Sequence, residues 1–123
     1  MCLVTAEKKQ SLERACQEML HTQGIRFVGI INQMGRLVAG GFKYRVKPLA
    51  DDEQRRILFM QLVSEVNMIC ELDDVLGPFK YIATKRGKVI KITIPLNKKI
   101  LVISAEPNTD AEEITNRALE IFK

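Results

Sequence analysis

Lys88-Val89-Ile90-Lys91-Ile92-Thr93-Ile94 is the stretch on which the fold turns. Side chains alternate across a strand, so Ile90, Ile92 and Ile94 share one face while Val89, Lys91 and Thr93 share the other. Downstream, Pro95 and Asn97 mark a turn, and Ile100-Leu101-Val102-Ile103 is apolar on both faces, as expected of an interior strand covered from both sides. Upstream, residues 79–85 read as a further strand, joined at Arg86-Gly87, a two-residue spacing suited to a tight hairpin. Three consecutive strands in this part of the chain imply a mainly antiparallel sheet.

Working outward, Ile25-Arg26-Phe27-Val28-Gly29-Ile30-Ile31 is a second two-faced apolar strand. The turn residues Asn32-Gln33-Met34-Gly35-Arg36 lead to another strand, Leu37-Val38-Ala39-Gly40-Gly41-Phe42. The Gly40-Gly41 pair inside that strand predicts a bulge, or a close approach by another backbone or helix. Residues 11–23 carry Leu12, Ala15, Cys16, Met19 and Leu20 at helical spacing, with Gly24 as the stop. Asp51 followed by Gln54 resembles a capping box opening a long helix over residues 52–72, and Gly77-Pro78 forces the exit. Thr109 with Glu112 suggests a second capping box before a helix striped by Ile114, Ala118, Ile121 and Phe122. The order is α-β-β-α-β-β-β-α: an α/β (α+β) single domain over residues 1–123, with helices on both faces of an antiparallel sheet.

The composition, 46% hydrophobic and 28% charged over 123 residues, is that of a globular chain and excludes a disordered or membrane-embedded one. No apolar run approaches the ~18 residues needed to span a bilayer. The short apolar start before Glu7, Lys8 and Lys9 lacks the pattern of a secretory signal, so the expected location is the cytoplasm. Cys2, Cys16 and Cys70 are odd in number and spaced for neither a disulfide framework nor a zinc site; reduced, mostly buried thiols are expected.

The long second helix carries more apolar surface than one sheet can use. Leu58, Phe59, Leu62, Val63, Val66, Ile69 and Cys70 form a broad core arc at 100° per residue. On the opposite side Ile57, Met60, Ser64 and Met68 form a second stripe, which predicts contact with another helix.

Charge is segregated along the chain. Residues 24–49 and 79–105 contain no Asp or Glu, yet hold Arg26, Arg36, Lys43, Arg45, Lys47, Lys80, Lys85, Arg86, Lys88, Lys91, Lys98 and Lys99. A basic surface built from Lys85, Arg86, Lys88, Lys91, Lys98 and Lys99 would protect the sheet edges or attract an acidic partner. No catalytic, cofactor or metal site is expected. The single His21 lies near a helix end, and Asp73-Asp74 reads as helix-end charge. The interval from Gly35 to Gly41 is followed by Phe42-Lys43 rather than by Lys-Ser/Thr, so it is not a phosphate loop.

The hairpin from Ile25 to Gly41 with its Asn32-Gln33-Met34-Gly35 turn, the long second helix, and Gly87-Lys88-Val89-Ile90-Lys91-Ile92-Thr93-Ile94-Pro95-Leu96 leading to Ile100-Leu101-Val102-Ile103 together resemble the roadblock family of dynein-light-chain-like and GTPase-associated proteins. The resemblance implies a five-stranded antiparallel sheet in the order 2-1-5-4-3, with the second helix on one face and the terminal helices on the other. It further implies a homodimer joined through third strands and second helices, which here involves Ile57, Met60, Ser64, Met68, Tyr81 and Ala83. It also implies a non-catalytic scaffold or regulator that binds a small GTPase or another regulatory protein. Two other readings stay open: a PAS-like or profilin-like sensor with a small ligand beside the sheet, and weak nucleic-acid binding through the basic rim, the latter the less favoured.

Overall fold

The computed structural model describes residues 6–122. Among them, four helical segments flank one five-stranded sheet: α1 (Ala6–Leu20), β1 (Ile25–Ile31), β2 (Leu37–Phe42), α2 (Asp52–Cys70), α3 (Asp73–Leu76), β3 (Ile82–Lys85), β4 (Ile90–Leu96), β5 (Lys99–Ala105) and α4 (Ala111–Ile121). The strand order is β2-β1-β5-β4-β3, every neighbouring pair antiparallel. This is the expected α+β architecture, with a four-residue α3 added after α2.

Alternation sorts the core into two layers. Val28, Ile30, Ile90, Ile92, Ile94, Leu101 and Ile103 face α1 and α4, where they meet Cys16, Met19, Ile114 and Ala118. Phe27, Ile31, Ile100 and Val102 face α2 and meet Val63 and Val66. On β2 the glycine expectation holds: a Cβ on Gly40 would stand 2.0 Å from the Val28 carbonyl oxygen, and its φ is +91°. The Gly40 N–H donates to Glu13 Oε2 of α1 at 3.2 Å, so backbone and helix both close in at this point.

The boundaries depart from the sequence reading for local reasons. α1 already includes residues 6–10, because Ala-Glu-Lys-Lys-Gln are good helix formers without an apolar stripe, and it ends at Leu20 where Thr22 N–H turns back to the Met19 carbonyl. β3 starts at Ile82 rather than Phe79, since Phe79 N–H donates to Asp73 Oδ1 and its ring packs in the α2-side core. The β3–β4 connection is a four-residue loop, residues 86–89, closed by Arg86 N–H to the Val89 carbonyl at 2.9 Å, and Lys85 pairs with Ile90. β4 runs on through Pro95, which lies beyond the last β3 partner, where a missing N–H costs no ladder bond. The cap of α4 is Asp110, accepting from Glu112 and Glu113 N–H; the Thr109 hydroxyl instead donates to the Glu106 carbonyl. The capping box of α2 is as expected: Gln54 N–H donates to Asp51 Oδ1 at 2.8 Å and Asp51 N–H to Gln54 Oε1 at 2.9 Å. Ile69, assigned to the core arc of α2, is exposed instead. Among the described residues no helix is long and apolar enough to cross a membrane.

Candidate functional site

α2 lies on the sheet through Phe59, Leu62, Val63, Val66 and Cys70, a narrower arc than its apolar content offers. The second stripe is solvent-facing in the single chain: Ile57 is 52% exposed, Met60 58% and Met68 64%, with Ser64 exposed between them. Met60 flanks the β1–β2 turn, where a Cβ on Gly35 would come within 3.3 Å of the Met60 backbone. That turn is tied by Asn32 Oδ1, which accepts from Met34 and Arg36 N–H. Leu58 and Leu62, on the other flank, look toward β4 across a cavity. Ile69 follows Leu58 at a spacing of about three helical turns and so falls on that same flank. Beyond Cys70, Leu72, Val75 and Leu76 are further exposed apolar side chains at and within the short α3 turn. The sequence reading missed these exposed residues because it assigned Ile69 to the core; the close sequence of apolar residues beyond Cys70 was the available signal.

β3 is an edge strand paired only with β4, and Ala83 is exposed on it. Ala83 pairs with Ile92 and therefore faces the α1 and α4 side. Tyr81 lies just before β3, half-buried against that same core. The residues named for a dimer contact thus form two groups, one along the outer side of α2 and one at the β3 edge on the opposite face.

The basic residues also divide. Lys85, Arg86, Lys88 and Lys91 gather at the β3–β4 loop, whereas Lys98 and Lys99 stand at the far end of β4, in the β4–β5 turn and the first position of β5. Lys98 adopts φ +60° in that turn. Lys91 is half-buried rather than part of an outer rim, because it points from β4 to the α2 side; burial and the neighbouring Arg86 pull its ammonium below the usual lysine range. Charge segregation along the chain is partly undone in space, where Arg26 Nη1 meets Glu106 Oε1 at 3.1 Å.

The cavity beneath the first half of α2 has a volume of about 620 Å³. Phe27, Phe42, Leu58, Phe59, Leu62 and Val102 give it an apolar body, and Arg26, Arg55, Arg86, Lys88 and Lys91 stand around it. Arg55 pairs with Asp52, donates to the Ala50 carbonyl and lies over the Phe42 ring, 5.2 Å from its centroid.

The remaining reactive groups are engaged in structure. His21 Nδ1 donates to the Gln17 carbonyl at 2.8 Å, as expected of a histidine at a helix end. Cys16 is buried and its thiol is pushed up to about 12 by burial and then by Glu13. Cys70 is also raised, by desolvation and by Asp73. Cys2 lies outside the described residues. Among the described residues no group of three or more His, Cys, Asp or Glu is placed to hold a metal ion.

Comparison with known proteins places this geometry. Residues 6–123 match the sequence profile of a family of unknown function, DUF6659. No curated protein matches the sequence. Solved structures are similar over nearly the whole chain. A roadblock/LC7 domain from Streptomyces avermitilis has a TM-score of 0.66 at 6% identity, with 89% of each chain covered. The gliding protein MglB from Thermus thermophilus has a TM-score of 0.73 at 15% identity, covering 98% of this chain and 91% of MglB. An MglB solved in a tetrameric arrangement has a TM-score of 0.72 at 17% identity, covering 98% of this chain and 90% of that one. At these identities the likeness is one of fold, and that fold is the roadblock/LC7 fold.

Proposed function

The chain belongs to the DUF6659 family, and with that membership and a roadblock fold as premise we propose that it is a non-catalytic homodimeric scaffold whose outer surface docks a small GTPase or another regulatory protein. The observation that carries this reading is the exposed apolar surface of α2. Ile57, Met60 and Met68 face solvent in one chain although the helix already meets the sheet on its other side. Surface of this kind on a soluble helix marks a contact, and methionines adapt to a partner's shape. The free β3 edge adds unpaired main-chain groups that a second β3 can satisfy, extending the sheet across two chains. Tyr81 and Ala83 then lie beside the joint while Ile57, Met60, Ser64 and Met68 supply apolar burial and register. The exposed Ile69, Leu72, Val75 and Leu76 enlarge the same contact. Self-association of a like fold is also in keeping with the tetrameric arrangement of one MglB.

Sedimentation velocity of the wild type and of Met60→Asp tests the assembly. Wild type at tens of micromolar is expected to sediment as a dimer and the variant as a monomer with unchanged circular dichroism, because Met60 is largely exposed and its loss opens no core. A wild-type monomer removes the proposal. Titration of the dimer with small GTPases from the same genome, in diphosphate and triphosphate states, tests the partner class.

A further inference from the structure

The residues under the first half of α2 change character in order across the sheet. Thr84, Lys91, Ser104, Phe27 and Phe42 are successive cross-strand partners from β3 to β2. The last four line the cavity beneath α2. At the β2 end the Phe27 and Phe42 ring centroids are 4.8 Å apart, with the Phe59 ring 6.2 Å from Phe27. At the β4 end Lys91 is half-buried beside Ser104, and the loop cations Arg86 and Lys88 stand at the same side of the cavity.

The cations around the cavity are not equivalent. Arg26 is held by Glu106 and by the Lys47 carbonyl, and Arg55 by Asp52 and the Ala50 carbonyl. Among the described residues, no ion pair reaches Arg86, Lys88 or Lys91. No Asp or Glu lines the cavity. A half-buried ammonium without a counter-ion is unfavourable, and an anion brought to it gains a charge-assisted hydrogen bond in a site where water is already thinned. We propose that this cavity binds an amphipathic anion, with an acidic head group held by Lys91, Arg86 and Lys88 beside the Ser104 hydroxyl, and an apolar body lying against Phe27, Phe42 and Phe59. The volume suits a ligand of drug size, for which cavities of about 300–1,000 Å³ are usual. Neither the head-group contacts nor the aromatic wall requires a second chain, so the inference stands apart from the dimer.

Isothermal titration calorimetry of the full chain with decanoate, decyl phosphate, decanol and inorganic phosphate, below micellar concentrations, tests it. Decanoate and decyl phosphate are expected to bind one per chain, at least ~10-fold more tightly than decanol or inorganic phosphate. The tighter of the two acids identifies the preferred head group. Lys91→Met and, at the exposed loop where folding is not at stake, Lys88→Glu are each expected to weaken decanoate by ~10-fold while leaving decanol unchanged. Met60→Asp is expected to bind as the wild type does, whatever its assembly state. Equal binding of decanol and decanoate, indifference to both lysine variants, or no binding at all overturns the proposal. Binding by Met60→Asp but not by the wild type also overturns it, since a second copy would then be the occupant.

Discussion

On the α1 and α4 side of the sheet, Cys16, Met19, Ile92, Leu101, Ile103 and Ala118 are closed off from solvent, whereas on the other side α2 buries only Val63 and Val66 of its 19 residues. The same sheet supports both layers, and both are fed by the same alternating strands. What differs is the covering: two helices with matched apolar stripes on one side, and on the other a single helix that leaves a cavity at one flank and an exposed methionine stripe on its back. A closed layer carries the stability of a domain, and an incomplete one has surface left for a partner or a ligand.

Truncation should separate the layers most strongly. Leu101→Ala, on the closed side, is expected to cost about 3 kcal/mol in urea unfolding, because the cavity left behind cannot refill. Met68→Ala should change the stability of the monomer by less than about 0.5 kcal/mol and weaken self-association instead. Equal losses at both positions would break the contrast. Next in size is Gly40→Ala, about 2 kcal/mol by thermal melting, since the new Cβ would strike the Val28 carbonyl at a φ of +91°.

Alkaline pH should address the closed side through Cys16. Its thiol ionises near 12 in the folded chain and at an ordinary value of about 9 when unfolded. The unfolded state therefore binds fewer protons in that window, and stability falls with rising pH by up to about 1.4 kcal/mol per unit. Lys91 works in the opposite direction, since its folded value lies below the unfolded one. Urea titrations at pH 8 and pH 10 should show a smaller loss for Cys16→Ala than for the wild type. Among the substitutions expected to destabilise the chain, the smallest effect is at the helix cap: Asp51→Ala, which removes the capping box of α2, is expected to cost about 1 kcal/mol. Hydrogen exchange should show that loss in α2 amides and leave those of α4 unmoved.

Much of this was readable from residues. Ile90, Ile92 and Ile94 gave the closed face of β4, and the two-faced runs around Val28 and Leu101 gave the central strands with helices on each side. α2 was less legible because its apolar positions circle most of the helix, so a wheel cannot say that Val63 and Val66 are buried while Ile69 is not. The cavity was out of reach for a different reason. Lys91, Ser104, Phe27 and Phe42 come into one row only through the register of three strand pairs, which alternation within a strand does not determine. The basic residues failed as one surface for the same cause, since β4 carries Lys98 and Lys99 to the end opposite Arg86 and Lys88.

The proposal that a second copy completes the unfinished α2 layer is tested most directly by hydrogen exchange followed by mass spectrometry over protein concentrations from about 1 to about 100 μM. Protection of α2 and β3 is expected to rise with concentration while that of α1, α4 and β5 stays constant. Exchange in α2 that is independent of concentration, or as slow as in β5 at the lowest concentration, would contradict the account.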